Sequence, residues 1–206
     1  MSAPQRVQLH IHGPSASLRR IAAVASNTLR EARRNRVFLG ICAAAIMLQF
    51  VALALSDLAL VDQKARLVQN FGLFTIPLMC VLTAVIMGVL LLHKEIEKKT
   101  LYAILPKPIR RSEFLLGKYL GLCALLLAEL LVLALAWFVV LWLRGGEINA
   151  PILIALLLSY VEIVLITAIA TFFSALSTPV LSGLFTLGLF FTERISYILT
   201  DLMAAT

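Results

Sequence analysis

Long apolar runs separated by short polar, mostly basic stretches dominate the chain. A bilayer core takes about 20 apolar residues of helix. Residues 37–56 meet that length, with Gln49 as the main polar interruption, and residues 71–92 meet it again. Residues 114–143 would form roughly 45 Å of helix at 1.5 Å per residue. That exceeds the hydrocarbon, so the helix tilts or projects, and Lys118 near its start assigns the projection to the N-terminal end. Residues 152–173 form a fourth span, opened by Pro151 at a helix-start position. Residues 180–191 are too short to cross straight. They form a half-span that turns back, or a span whose outer end takes in Glu193 and Arg194. Residues 195–203 read as the start of a re-entrant or interfacial helix, which sets 193–206 apart.

Two shorter patterns flank these runs. Leu18, Ile21, Ala25, Leu29 and Ala32 recur at three- and four-residue steps, while Arg19, Arg20, Arg30, Arg33 and Arg34 largely avoid that stripe. A basic amphipathic helix over 18–36, capped by Ser17, is expected in the membrane interface with its stripe in lipid or against protein. Residues 1–17 form a polar tail without the apolar core of a signal peptide. Between the second and third runs, residues 95–105 predict a short helix with Ile96, Leu101, Ile104 and Leu105 as apolar contacts. Pro106 and Pro108 end it, and Ser112 caps the next span. A short charged helix held between two spans suits docking to a soluble partner.

Composition removes the soluble reading. The 206 residues are 61% hydrophobic and 14% charged, against roughly 25% charged in a soluble domain. The fold class is therefore all-α, a polytopic membrane helix bundle of about five spans in one domain, with residues 37–192 as the bundle. The net charge of +7 lies between apolar runs, which favours lipid head groups and topology over nucleic acid. Arg6, Arg19, Arg20, Arg30, Arg33, Arg34 and Arg36 precede the first span. Lys94, Lys98, Lys99, Lys107, Arg110, Arg111 and Lys118 cluster around the second-to-third connection. The other two connections hold Lys64, Arg66 and Arg144, offset by Asp57, Asp62 and Glu147. The N-terminus and the 93–113 loop are thus expected in the cytoplasm. Cys42, Cys80 and Cys123 stand apart inside apolar runs, which points to neither a disulfide framework nor a metal site.

The loop carries a recognisable order of residues. Glu97, Thr100, Leu101, Leu105, Pro108 and Arg111 are followed by Phe-Leu-Leu-Gly-Lys at 114–118. With the basic stretch at 27–36 and the Thr/Ser-containing stretch at 167–179, this resembles the permease subunits of ABC-2 type ATP-binding-cassette transporters. The resemblance implies two permease chains, as homodimer or heterodimer, forming a pathway above two ATPase subunits. It implies a bacterial inner-membrane location, transport in the export direction, and a coupling helix whose ATPase contacts involve Glu95, Glu97, Thr100, Leu101, Leu105, Pro108 and Arg111. The chain has no Gly-x-x-x-x-Gly-Lys-Ser/Thr loop, so ATP and Mg are expected on the partner, with no cofactor here. The family normally has six spans, so this chain reads as shortened before the sixth.

Two acids fall inside spans, Glu129 in the third and Glu162 in the fourth. Such residues face protein or water, which makes them candidates for the pathway or a dimer interface. Interhelical hydrogen bonding, with Ser159, Tyr160 or Thr167 near Glu162, is the alternative. Gly117 and Gly121 form a Gly-x-x-x-Gly pair suited to close helix packing. No paired Asp motif, Ser-His arrangement or metal cluster supports an enzyme. A transporter permease is the expected function, and a non-transporting membrane anchor or assembly subunit is the alternative.

Overall fold

The computed structural model describes residues 14–57, 63–97 and 111–204. The described residues form six helices: α1 (Pro14–Arg33), α2 (Arg36–Ser56), α3 (Lys64–Glu97), α4 (Arg111–Leu143), α5 (Ala150–Leu176) and α6 (Pro179–Ala204). Four of them, α2, the 64–88 part of α3, α4 and α5, are long and apolar enough to cross a membrane. Chain direction alternates along α2 to α6. One end of the bundle therefore gathers the starts of α2, α4 and α6 with the ends of α3 and α5; we call it the basic end. The opposite, distal end holds Asp57 and Arg144.

Several boundaries differ from the sequence-based expectation. α1 begins at Pro14 and α4 at Arg111, so Ser17 and Ser112 lie inside first turns rather than capping them. α3 runs on through Glu95 to Glu97, so those acids end a long helix instead of opening a short one. The rest of the expected coupling helix lies outside the described residues. α6 is unbroken from Pro179 to Ala204, about 39 Å of helix. Residues 193–204 are therefore its continuation and not a separate element. Glu193 and Arg194 end its apolar run, which keeps α6 out of the set of four. Pro151 does open α5, just after Asn149.

α3 is the central helix and packs against α2, α4, α5 and α6. Its contact with α4 turns on one glycine. A β-carbon on Gly72 would stand 2.0 Å from the Trp137 indole nitrogen. The indole therefore lies over bare backbone, and its N–H donates to the Val68 carbonyl at 3.0 Å. Trp137 is fully buried there with Ile76, Val81, Leu133 and Leu141. Other helix pairs are joined by side chains that donate to backbone carbonyls. Gln49 of α2 donates to Leu133 of α4 at 3.1 Å. Tyr119 of α4 donates to Val164 of α5, and Tyr160 of α5 to Cys123 of α4, at 3.2 and 3.3 Å. Ser182 of α6 donates to Ala170 of α5 at 3.3 Å. Each such bond is worth about 0.6–2 kcal/mol in a membrane protein.

The distal end is pinned by a bidentate pair. Arg144 donates to the two Asp57 oxygens at 2.5 and 2.8 Å and to the Leu53 carbonyl at 2.9 Å. This ties the end of α2 to the end of α4. Gly145 at φ 71° reverses the chain, and Gly146 N–H returns to the Leu141 carbonyl at 3.0 Å, a glycine-dependent helix stop.

Two predictions follow from this packing. Gly72→Ala drives a methyl into the Trp137 ring and should cost at least about 1–3 kcal/mol, read as a lower thermal midpoint in detergent. A midpoint equal to wild type would show that the ring moves aside freely. Hydrogen bonds from Arg144 also hold the Asp57 carboxyl below its ordinary range. A lowered folded-state value stabilises above the ordinary carboxylate pKa and fades as pH falls through the lowered one. Melting followed from pH 7 downward should lose stability in that acid window, and Asp57→Asn should remove that component.

Candidate functional site

The basic end holds the residues expected to couple to a partner. α3 continues five residues past its apolar run, which ends at Leu92, about 8 Å of further helix. α4 is 33 residues long, about 50 Å against a hydrocarbon core of about 30 Å. Glu95 and Glu97 lie at the end of α3, and Arg111 is the first residue of α4. Thr100, Leu101, Leu105 and Pro108 fall between them, outside the described residues.

α1 lies alongside the first turns of α4. Arg20 pairs with Glu113 at 3.7 Å. A β-carbon on Gly117 would stand 2.7 Å from Val24 Cβ, and one on Gly121 would stand 2.7 Å from the Ala25 carbonyl oxygen. Ala32 then meets the Phe38, Met87, Leu122 and Leu125 cluster. From Arg20–Glu113 through Val24–Gly117 to Thr28–Gly121 the contacts advance four residues at a time on both helices, so α1 and α4 run side by side in the same direction. The Gly-x-x-x-Gly pair is where the two backbones meet. The apolar stripe thus faces protein rather than lying flat in lipid, and its centre has rotated. Thr28 is buried on it, its hydroxyl donating to the Val24 carbonyl at 2.9 Å, while Leu18 is 66% exposed. Arg19, Arg30, Arg33 and Arg34 remain outward. Lys118 is buried beneath α1 over the Phe114 ring, although its sequence position suggested a solvated end.

The two intramembrane acids differ in setting. Glu129 is 2% exposed, in the interior between α2, α3 and α4. Thr83 donates to its Oε1 at 2.8 Å, and the Cys42 thiol stands 3.8 Å from the same oxygen. Its Oε2 has no partner among the described residues. Glu162 of α5 lies toward the outside, 3.9 Å from the Arg194 guanidinium of α6. That guanidinium also stands 5.9 Å from the rings of Phe74 and Phe190. Tyr160 and Thr167 take other partners, the carbonyls of Cys123 and Ile163. The sequence offered Arg194 as a helix end and not as the partner of Glu162. The available signal was an acid inside one apolar segment and a Glu193–Arg194 pair at the end of the next. Among the described residues, no group of three or more His, Cys, Asp or Glu side chains is placed to hold a metal.

A sequence profile of the ABC-2 family transporter proteins matches residues 22–205. The chain belongs to this family. It is an integral membrane component of an ABC-2 transporter, which agrees with its helical bundle and four membrane-length helices. No individual curated protein matches the chain. The ABC-2 match begins inside α1 and extends through α6, so the helix packed on Gly117 and Gly121 belongs to the matched region.

The Glu129 setting yields a prediction. Thr83→Val removes the one close donor to a buried carboxyl oxygen and should cost about 1–3 kcal/mol. Glu129→Gln retains an oxygen acceptor for Thr83 and should melt closer to wild type. Equal midpoints for Thr83→Val and wild type would show that the bond contributes nothing.

Proposed function

We propose that this chain is the pathway-forming permease of an ABC-2 exporter and receives its energy from a separate ATPase subunit through the connection between α3 and α4. The observation that supports this most is the paired overhang at the basic end. Two helices longer than a bilayer core have ends there, with Glu95 and Glu97 in the last turn of one and Arg111 as the first residue of the other. α1 is packed on the α4 overhang through Gly117 and Gly121. A helix braced this way moves as a rigid body, so a push at the connection reaches the Trp137–Gly72 contact. The basic residues of α1 and of the 93–113 stretch support a cytoplasmic position for this end by the positive-inside tendency. ATP and Mg then belong to the partner, and a second permease chain completes the pathway. The chain itself supplies helices, a docking segment and no catalytic residue.

The experiment is copurification of the tagged chain from membranes in mild detergent, followed by ATPase assay. Wild type should carry an ATPase subunit. Glu97→Ala with Thr100→Ala should lose it, or retain it with ATP hydrolysis no longer responsive to the permease. Gly121→Leu, which separates α1 from α4, should uncouple hydrolysis while leaving the docking segment intact. A folded wild-type chain with no associated ATPase activity would overturn the proposal. A stable complex without transport in vesicles would favour an anchoring role.

A further inference from the structure

Arg194 and Glu162 lie deep in the membrane-length part of the bundle. Glu162 is 12 residues from the start of α5 and 14 from its end, so roughly 18–21 Å of helix lies on either side. Arg194 is held at that level by the pair, 15 residues into α6. The side chains are nonetheless 18% and 30% exposed, and Thr192 and Glu193 beside them are exposed.

The polar groups here are not satisfied by the chain. The 3.9 Å separation is too long for a hydrogen bond, and Glu162 Oε1 has no hydrogen-bond partner among the described residues. The guanidinium carries five N–H donors. Among the described residues its contacts are the loose ion pair and the faces of Phe74 and Phe190. Hydrocarbon cannot supply acceptors, and a charged group facing it is costly. The α3–α5–α6 face around Arg194 must therefore meet something other than lipid: water, a ligand or another chain. Its border is apolar: Phe74 is 48% exposed and Leu158, one turn before Glu162, is 62% exposed.

We propose that Arg194 lies in a water-accessible recess of the transport pathway and binds the anionic group of an amphipathic ligand, whose apolar part lies along Phe74 and Leu158. The inference rests on the permease reading and names the ligand class that such a pathway would take. The guanidinium offers a two-point fit to a phosphate or carboxylate. Glu162 holds it in place until a better acceptor arrives.

The test is thiol accessibility in liposomes, which requires neither ATPase nor transport. Leu158→Cys and Leu135→Cys, the latter on an exposed apolar stretch of α4, are treated with a charged, membrane-impermeant thiosulfonate. Labelling is read at each position by peptide mass spectrometry, so the native cysteines stay in place. Position 158 should react at least about tenfold faster than position 135, because only a watered surface admits a charged reagent. Decyl phosphate below its micellar concentration should slow labelling at 158 about fivefold or more, and adding Arg194→Gln should abolish that protection. Glu162→Gln with Arg194→Gln leaves a neutral pair, keeps the helix contact, and should label as fast without protection. Equal slow rates at both positions, or protection that survives Arg194→Gln, would overturn the proposal. Absence of protection in the Leu158→Cys chain with Arg194 intact, while that chain still binds its ATPase, would sink this site alone and leave the permease reading standing.

Discussion

A helix that outruns the hydrocarbon has to place its surplus length against something. α3 and α4, at 34 and 33 residues, are each about 20 Å longer than a bilayer core. α3 divides its surplus between polar turns at both ends, Lys64 to Asn70 and His93 to Glu97, whereas α4, apolar through Leu143, carries its surplus at its start, beside the end of α3. α1 covers the α4 surplus, and its close approach depends on two positions without side chains, Gly117 and Gly121. What would otherwise be two separate projecting rods becomes a braced three-helix corner, joined through Ala32, Met87 and Leu125 to the bundle.

The same packing explains how a segment outside the bilayer could act on one inside it. Rigid, close-packed elements transmit displacement, because voids that would absorb it are few. Below the corner, α3 and α4 meet again where Trp137 lies on Gly72, and at the distal end Arg144 locks α4 to α2 through Asp57. α4 is thus held near its start by α1 and at two levels toward its distal end. The less tightly held polar group of the bundle is the Glu162–Arg194 pair, on the face where α5 and α6 meet α3.

How much was legible beforehand varies with the kind of interaction. The runs that became α2, α4 and α5 were readable to within three residues at each end, because burial in lipid imposes a length and an apolar character that can be measured on the chain. α3 was underestimated at both ends, since Lys64 and Glu97 are helical by continuation and not by hydropathy. The expected caps at Ser17 and Ser112 failed for the same reason: a helix braced by a neighbour begins earlier than its cap residue suggests. α1 was found by its period, but the period gave its face only approximately, and Thr28 rather than Leu18 is buried.

By itself the sequence determined the class of the protein, the number and rough extent of its long helices, the basic end, and the small-residue pair on α4. These follow from properties of single segments: hydropathy, period, charge and the absence of a side chain. Only the tertiary structure decided that α1 is the neighbour those glycines admit, that Glu129 meets Thr83 in the interior, and that Glu162 faces Arg194 beside Phe74. Those are relations between helices far apart in the chain. Nearly every face of these helices is apolar, so no single segment indicates which neighbour it will meet. That choice rests on shape and on the need to satisfy a few polar groups, which become visible only once the helices are assembled.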